Sequence, residues 1–418
     1  MSEADHIYDD LQNTLVRWGL MEIPFSESAL SLRRSQLRDV FTGRIQELRE
    51  VLTLFQGRER KRILVYGWIG IGKTAFILEI LGVLQRKAKD TLATYISLPP
   101  RTDLATAALI ALAREMEDDE WAQHQLNQMG LRPRQRPVKK KGTAKAGIAS
   151  TGIETEEETV PVSLPRFPSL SFEDLLERAL KKYGRVVIAI DDLDKLDPAQ
   201  VRDLLRDAQG ILKGEAWFIL SGHPSGLTRD ILTREMGLFD LAVELKSLDQ
   251  PTTYRMLINY LNSARPKNAR IDPNDARATH PFTSRSASTL CELSDGVPRY
   301  LNRLGSYALI KAAEIQADTV TPAILQQGLD YAEQQLRGQK GLTPQDYYVL
   351  DLVLEKGTLS DETVTLAELE RVRVKEFNEI LPVLEKLVRL DLLRRLPSER
   401  ATEYAPTPLL SRKSTEQP

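Results

Sequence analysis

The stretch Arg62-Ile-Leu-Val-Tyr-Gly67-Trp-Ile-Gly70-Ile-Gly72-Lys73-Thr74 decides how the rest of the chain is read. An apolar strand runs into the pattern G-x-x-x-x-G-K-[ST], and a helical periodicity follows it. Its glycines let backbone N–H groups turn inward around an anion, and a helix starting near Lys73 points the positive end of its dipole at the same charge. The candidate phosphate-binding set is Gly67, Trp68, Ile69, Gly70, Ile71 and Gly72, continued by Lys73, Thr74 and Ala75 at the helix start. In such a loop Lys73 reaches the β/γ-phosphates and Thr74 ligates Mg²⁺. A plain glycine-rich turn would leave the flanking strand and helix without explanation.

Working outward, the pattern alternates between strands and helices, which argues for an α/β sheet with crossover helices. A helix from Thr74 to about Arg86 leads to a strand over Leu92 to Leu98, then to a helix from Asp103 to about Met116. Residues Leu131 to Pro168 break this rhythm with a basic run, an acidic run and scattered proline and glycine, and read as a mobile insertion. Order returns with a helix from Phe172 to about Lys182. Strands follow at Arg185 to Ile190, Ala216 to Leu220 and Leu241 to Leu245, with a helix from about Pro198 to Ile211 between the first two. From Pro251 to about Leu336 the pattern is helical throughout. A last unit begins at Gly341.

Composition sets outer limits. The chain has 418 residues, enough for two or three domains. Its 57 basic and 59 acidic residues give a net charge of −2, so no global field announces a nucleic acid or a membrane. The single cysteine, Cys291, excludes an intramolecular disulfide and any multi-cysteine metal site. It reads as a small buried apolar residue and fits a reducing compartment. The first residues lack a basic flank followed by an apolar stretch, and no run is long enough to cross a bilayer, so the expectation is a soluble cytoplasmic protein without membrane contact.

Val186-Val-Ile-Ala-Ile-Asp191-Asp192-Leu-Asp194 is the second chemical signal. Adjacent carboxylates at a strand end are costly to bury without a cation, and the carboxyl edge of a parallel sheet is where open α/β folds bind ligands. Asp191 is then the Mg²⁺-side acid, and Asp192 is placed to orient or deprotonate a water. The same aspartates would also suit a helix N-cap. At the next strand end, Ser221 is either a sensor of the terminal phosphate or a turn-forming serine beside Gly222. His223 precedes a proline and suits a loop.

Together FTGRIQEL (Phe41 to Leu48), GWIGIGKT, VVIAIDDLD, the polar strand end and GVPR (Gly296 to Arg299) resemble an AAA+/STAND-type P-loop ATPase of the ASCE class. The similarity runs from about Phe41 to Leu336. It is greatest to the branch of origin-recognition-type initiators, secretion-associated and transposition-regulating ATPases and signalling STAND proteins. The resemblance implies ATP with Mg²⁺ as ligands, a P-loop parallel sheet under a helical lid, and a nucleotide-dependent homo-oligomer. It implies that Phe41, Gly43 and Arg44 lie near the adenine and that Arg299 reaches the γ-phosphate from the lid. Pro298 would equally mark an ordinary helix start. The usual catalytic acid of the family is Glu, and Asp192 is one methylene shorter, which suits slow turnover. Arg234, or second Arg229, is the candidate for a finger acting on a neighbouring subunit, or else a solvated helix cation.

The last unit, Leu342 to Leu410, carries helices at about Pro344 to Glu355, Leu366 to Arg371 and Lys375 to Leu390, then two short strands at Leu392 to Leu396 and Glu403 to Ala405. This order resembles a winged helix. In DNA-binding members the third helix enters the major groove. Arg371, Arg373 and Lys375 flank its start, and Arg394, Arg395 and Arg400 lie on the wing. The stretch from Lys340 onward has a net charge of −2, and the third helix is expected to expose Glu376, Glu379 and Glu385, which weighs against duplex DNA and towards a protein partner. The expected divisions are an N-terminal extension (1–40), an ATPase core (41–248, with the 131–168 insertion), a helical lid (249–338), a winged helix (341–410) and a tail (411–418). The whole reads as an ATP-hydrolysing switch whose nucleotide state controls assembly and a C-terminal winged-helix effector, with duplex DNA as one partner the winged helix could take. The competing reading is a signalling or defence scaffold whose end binds protein.

Overall fold

The computed structural model describes residues 2–25, 39–57, 59–131, 165–193, 198–222, 238–338, 341–396, 402–408 and 410. Most of the 131–168 segment, and with it His223, Arg229, Arg234, Asp194, Arg400 and the tail, lies outside the described residues.

The central layer is a five-stranded sheet: β1 (Arg62–Gly67), β2 (Thr91–Ser97), β3 (Arg185–Asp191), β4 (Trp217–Gly222) and β5 (Leu241–Leu245). Its order is β2-β3-β4-β1-β5, and every pairing is parallel. The inner strands are apolar without interruption because both faces are covered. Ile63, Val65, Val187, Ala189, Trp217 and Ile219 pack into one core. Their neighbours Leu64, Val186, Ile188, Ile190, Phe218 and Leu220 pack into the other. The period of two along each strand thus divides one sheet between two cores.

Helices α1 (Glu3–Arg17) and α2 (Ile45–Leu54) precede β1; α3 (Lys73–Lys87), α4 (Leu104–Glu115), α5 (Glu120–Gln128) and α6 (Pro168–Tyr183) precede β3. Asp103 caps α4, its carboxylate accepting from the Thr106 amide at 2.8 Å. The sequence LATAALIALARE that follows is buried from Leu104 through Ala113, so small residues let this helix sit inside its layer. Helix α6 starts at Pro168, four residues before the position expected, with proline at a first-turn site that needs no N–H. The single helix expected between β3 and β4 is instead α7 (Pro198–Asp207) and α8 (Gln209–Leu212), broken at Ala208.

Beyond β5 the chain is helical: α9 (Gln250–Ser263), α10 (Ser284–Leu293), α11 (Pro298–Glu314) and α12 (Pro322–Arg337). The N-terminal segment is fastened to these helices. The Trp18 indole Nε1 donates to Ala317 O at 2.9 Å, and Phe25 lies edge-on to Tyr260 and Phe282.

The C-terminal unit contains α13 (Pro344–Lys356), α14 (Leu366–Arg371), α15 (Phe377–Arg389) and an antiparallel pair, β6 (Leu393–Leu396) with β7 (Glu403–Pro406). Thr343 and Thr365 each form a capping box that fixes a helix start. Glu376 and Glu379 are exposed as expected, but Glu385 is not: it is half-buried, ion-paired to Arg395 and accepts from Tyr404 OH at 2.6 Å. Among the described residues no helix is long and apolar enough to cross a membrane.

Candidate functional site

The sheet order makes a crevice. Strand β4 separates β1 from β3, so the loop leaving β1 and the acids ending β3 face each other across the carboxyl end of β4. In register, Val65 of β1 stands beside Ser221 of β4, and Ser97 of β2 beside Asp191 of β3.

The loop from Gly67 to Gly72 needs its glycines. Gly70 has φ +80° and a Cβ there would stand 2.6 Å from Cβ of Arg299, whose aliphatic stem lies over it. A Cβ at Gly67 would meet Leu245 O at 2.6 Å. Gly72, at φ +98°, turns the chain into α3, and no side chain caps that helix. The uncapped N-terminus of a fifteen-residue helix, behind a glycine turn, is a place for an anion.

The loop's carbonyls are held from outside. Buried Lys73 donates its Nζ to Gly67 O at 2.9 Å and Trp68 O at 3.2 Å. The Arg299 backbone N–H donates to Gly70 O at 3.2 Å, and an Arg44 guanidinium nitrogen to Ile71 O at 3.4 Å. Arg44 begins α2 in the left-handed region, φ 60°, directly after Gly43 at φ +78°; its guanidinium also pairs with Glu47. Burial holds its pKa below the ordinary arginine value, against the opposing pull of Glu47. Phe41 is partly buried against the core under this segment. Two separate parts of the chain, around residues 44 and 299, therefore converge on the loop that Lys73 braces from within.

Asp191 is the centre of the opposite wall. Its Oδ2 accepts from Thr74 Oγ1 at 2.6 Å and from Tyr95 OH at 3.0 Å. Its Oδ1 accepts from the Asp192 amide at 2.9 Å and from Ser221 Oγ. Asp191 and Ser221 are almost wholly buried. Burial, and then Asp191 itself, raise the Tyr95 phenol well above its ordinary pKa, so it remains a donor. Asp192 turns away in the left-handed region at φ 68°, a conformation unusual for a residue with a Cβ and common at functional sites. One of its carboxylate oxygens accepts from Ser97 Oγ at 2.5 Å.

The structure thus brings together Gly67 through Ala75, Asp191, Asp192, Ser221, Arg44 and Arg299, which the sequence singles out. It adds Tyr95 and Ser97, which the sequence reading passed over. The available signal was alternation: positions 95 and 97 are polar, two apart on one face at the carboxyl end of a strand that neighbours the acid pair. A cation fits the oxygen set at the Thr74–Asp191 contact, since a hydroxyl and a carboxylate there are hard donors. Among the described residues no cluster of three or more His, Cys, Asp or Glu forms a separate metal site.

No curated protein matches the chain. Among solved structures, the Walker-type ATPase of Pyrococcus abyssi has a TM-score of 0.51 and 15% identity, covering 91% of this chain and 97% of that one. It shares the parallel-sheet P-loop NTPase fold. The Orc1 protein of Aeropyrum pernix in complex with DNA has a TM-score of 0.49 and 16% identity, over 90% and 92% of the two chains. The RuvB Holliday junction branch migration motor of Thermotoga maritima has a TM-score of 0.41 and 17% identity, over 88% and 93%. Residues 40–213, which hold Arg44, the glycine loop, Thr74 and both strand-end aspartates, match the family model of the AAA ATPase domain.

Proposed function

We propose that this chain is an ATP-binding, slowly ATP-hydrolysing switch whose nucleotide state is passed through the helices after β5 to the C-terminal unit. The observation that carries the reading is the meeting of an uncapped helix N-terminus, buried Lys73 and the Thr74–Asp191 contact across one crevice.

In this reading the inward amides of the loop bind the phosphates. Lys73 exchanges the carbonyls of Gly67 and Trp68 for β/γ-phosphate oxygens, and Arg299 bends over Gly70 towards the terminal phosphate. Thr74 and Asp191 hold Mg²⁺, which when bound neutralises the charge that builds on the phosphate oxygens. Asp192 accepts the proton of the attacking water, and Ser221 fixes the carboxylate beside it. Phe41, Gly43 and Arg44 border the base. Arg234, from a neighbouring copy, completes the site in an oligomer, so that assembly and hydrolysis are coupled.

Helix α11 is the proposed transmitter, because its first two turns touch both sides. Arg299 meets the loop, while Arg303 donates to Asp391 at 2.9 Å and Tyr300 OH to the same carboxylate at 3.3 Å. The C-terminal unit, a winged helix in this reading, is the effector. A protein partner is favoured over duplex DNA by the pairing of three of its cations within the chain: Arg371 with Glu355, Arg395 with Glu385 and Arg394 with Asp295.

Particle mass and phosphate release, measured with ATP, ADP or a slowly hydrolysed analogue, each with and without duplex DNA, test the whole. Slow release and a mass that differs between ATP and ADP are expected, with no stimulation by DNA. A tenfold stimulation by duplex would reverse the choice of partner, and failure to bind ATP would end the proposal.

A further inference from the structure

The Asp191 carboxylate is full. An ionised carboxylate offers about four lone-pair positions, and here each oxygen already takes two donors: Thr74 and Tyr95 on Oδ2, Ser221 and the Asp192 amide on Oδ1. A magnesium ion, or a water it carries, can use this carboxylate only if one donor withdraws. Building on the nucleotide reading above, we infer that Tyr95 is the donor that withdraws, and that its hydroxyl thereby sets the magnesium concentration at which nucleotide is held.

The other three are fixed. The Asp192 N–H belongs to the backbone. Ser221 is fully buried in a central strand between β1 and β3. Thr74 sits in the first turn of α3 and is needed beside the cation. Tyr95 differs on each count. It is half-buried, its hydroxyl is at the tip of a long side chain, and its 3.0 Å bond to Oδ2 is longer than the 2.6 Å bond from Thr74. It comes from β2, outside the loop and outside the acid strand. Tyr95 acts as a positioning residue: with no metal it holds the carboxylate in place and occupies an acceptor position, and it gives that position up on loading. A donor that competes with the metal for one oxygen raises the concentration of metal required, by up to the strength of a hydrogen bond to a charged group.

The test titrates magnesium into the full chain with a fluorescent ATP analogue and follows binding rather than turnover. For Tyr95→Phe the half-saturating magnesium concentration is expected to fall by about three- to tenfold, the range of a typical net intramolecular hydrogen bond. A half-saturation that stays the same or rises overturns the inference. Wild-type protein that does not bind the analogue at all would overturn the nucleotide reading itself, a result distinct from wild-type binding with an unmoved variant. If Tyr95→Phe does not fold, 3-fluorotyrosine placed at position 95 reports instead. Its ¹⁹F resonance should move when magnesium is added to nucleotide-loaded protein, and a resonance insensitive to magnesium overturns the assignment.

Discussion

The sheet edge and the junction between α11 and the C-terminal unit treat charge in opposite ways. At the edge, Lys73 and Asp191 are buried and meet carbonyls, hydroxyls and an amide that strands hold in register. At the junction the charges meet each other. Arg303 and Asp391 pair with side chains 17% and 14% exposed, and Arg394 pairs with Asp295 at 31% and 48%. Buried polar groups with full sets of partners are expensive to disturb, whereas a partly exposed ion pair such as Arg394–Asp295 is cheap to exchange for water. In the proposed switch the crevice is the rigid part and the junction the part that moves, and α11, which touches both, would carry a displacement of Arg299 against Gly70 to Asp391.

The contrast is broken most strongly at the edge. Asp192→Asn keeps the shape of the side chain and removes the proposed proton acceptor. Phosphate release should fall by about 10²–10⁴-fold, with nucleotide affinity and particle size unchanged. Unchanged phosphate release would mean that Asp192 does not take the proton and that the acid pair serves only the cation.

At the junction the order of effects should invert. Asp391→Ala leaves Arg303 and Tyr300 facing one another without their shared acceptor, at a cost of about 1–2 kcal/mol to the attachment of the C-terminal unit. Small-angle scattering should then show a larger radius of gyration, while affinity for nucleotide stays as it was. A variant as compact as the wild type in every nucleotide state would remove α11 as the transmitter.

Much of this contrast was legible in the sequence, but unevenly. β5 at Leu241–Leu245 and α14 at Leu366–Arg371 stand where the pattern puts them, because each is a short apolar or periodic run between clear breaks. The loop and the acid pair were legible because their spacing is local: a glycine pattern between an apolar strand and a helix, and adjacent aspartates at the end of a buried strand. Helix α5 was not: its nine residues are few and mostly polar, and a usable signal was Asp119, which caps it. Helix α1 was missed although Ser2 and Asp5 form a capping box at its start. Tyr95 and Ser97 carry no motif of their own, and only the sheet order, which sets β2 beside β3, brings them to the two aspartates. Glu385 was misjudged as exposed because its helix position faces outward until Arg395 and Tyr404 of the hairpin fold over it. Local pattern carries elements and loop chemistry; partners distant in the chain come only with the packing.

Acid separates the two regions by another route. The Lys356 hydrogen bond, aided by the Thr365 amide, lowers Glu368 from the ordinary 4.5 to about 2. A depressed carboxylate pKa contributes stability above the ordinary value, and that stability is lost as pH falls towards the folded value. The C-terminal unit should therefore weaken between about pH 4.5 and 2. The four tryptophans, Trp18, Trp68, Trp121 and Trp217, all lie outside this unit, so their fluorescence is a poor probe. Amide exchange in peptides spanning α13 and α14 is the measurement, and Glu368→Gln should flatten its pH dependence. Equal dependence in the variant would place the acid sensitivity elsewhere.

The smallest effect should come from Arg394, and the reason lies in one atom. Its guanidinium pairs with Asp295, but its Nε is buried and has no hydrogen-bond partner. The gain from a partly exposed ion pair is about 0–1 kcal/mol, and an unpaired buried donor gives part of that back. Arg394→Ala should consequently shift the thermal midpoint by less than about 2 °C and leave the scattering radius close to that of the wild type, in contrast to Asp391→Ala. If it instead opens the junction as far as Asp391→Ala does, then the pair at Asp295, adjoining the turn that carries Arg299, is the real fastening, and the Arg303–Asp391 pair only follows it.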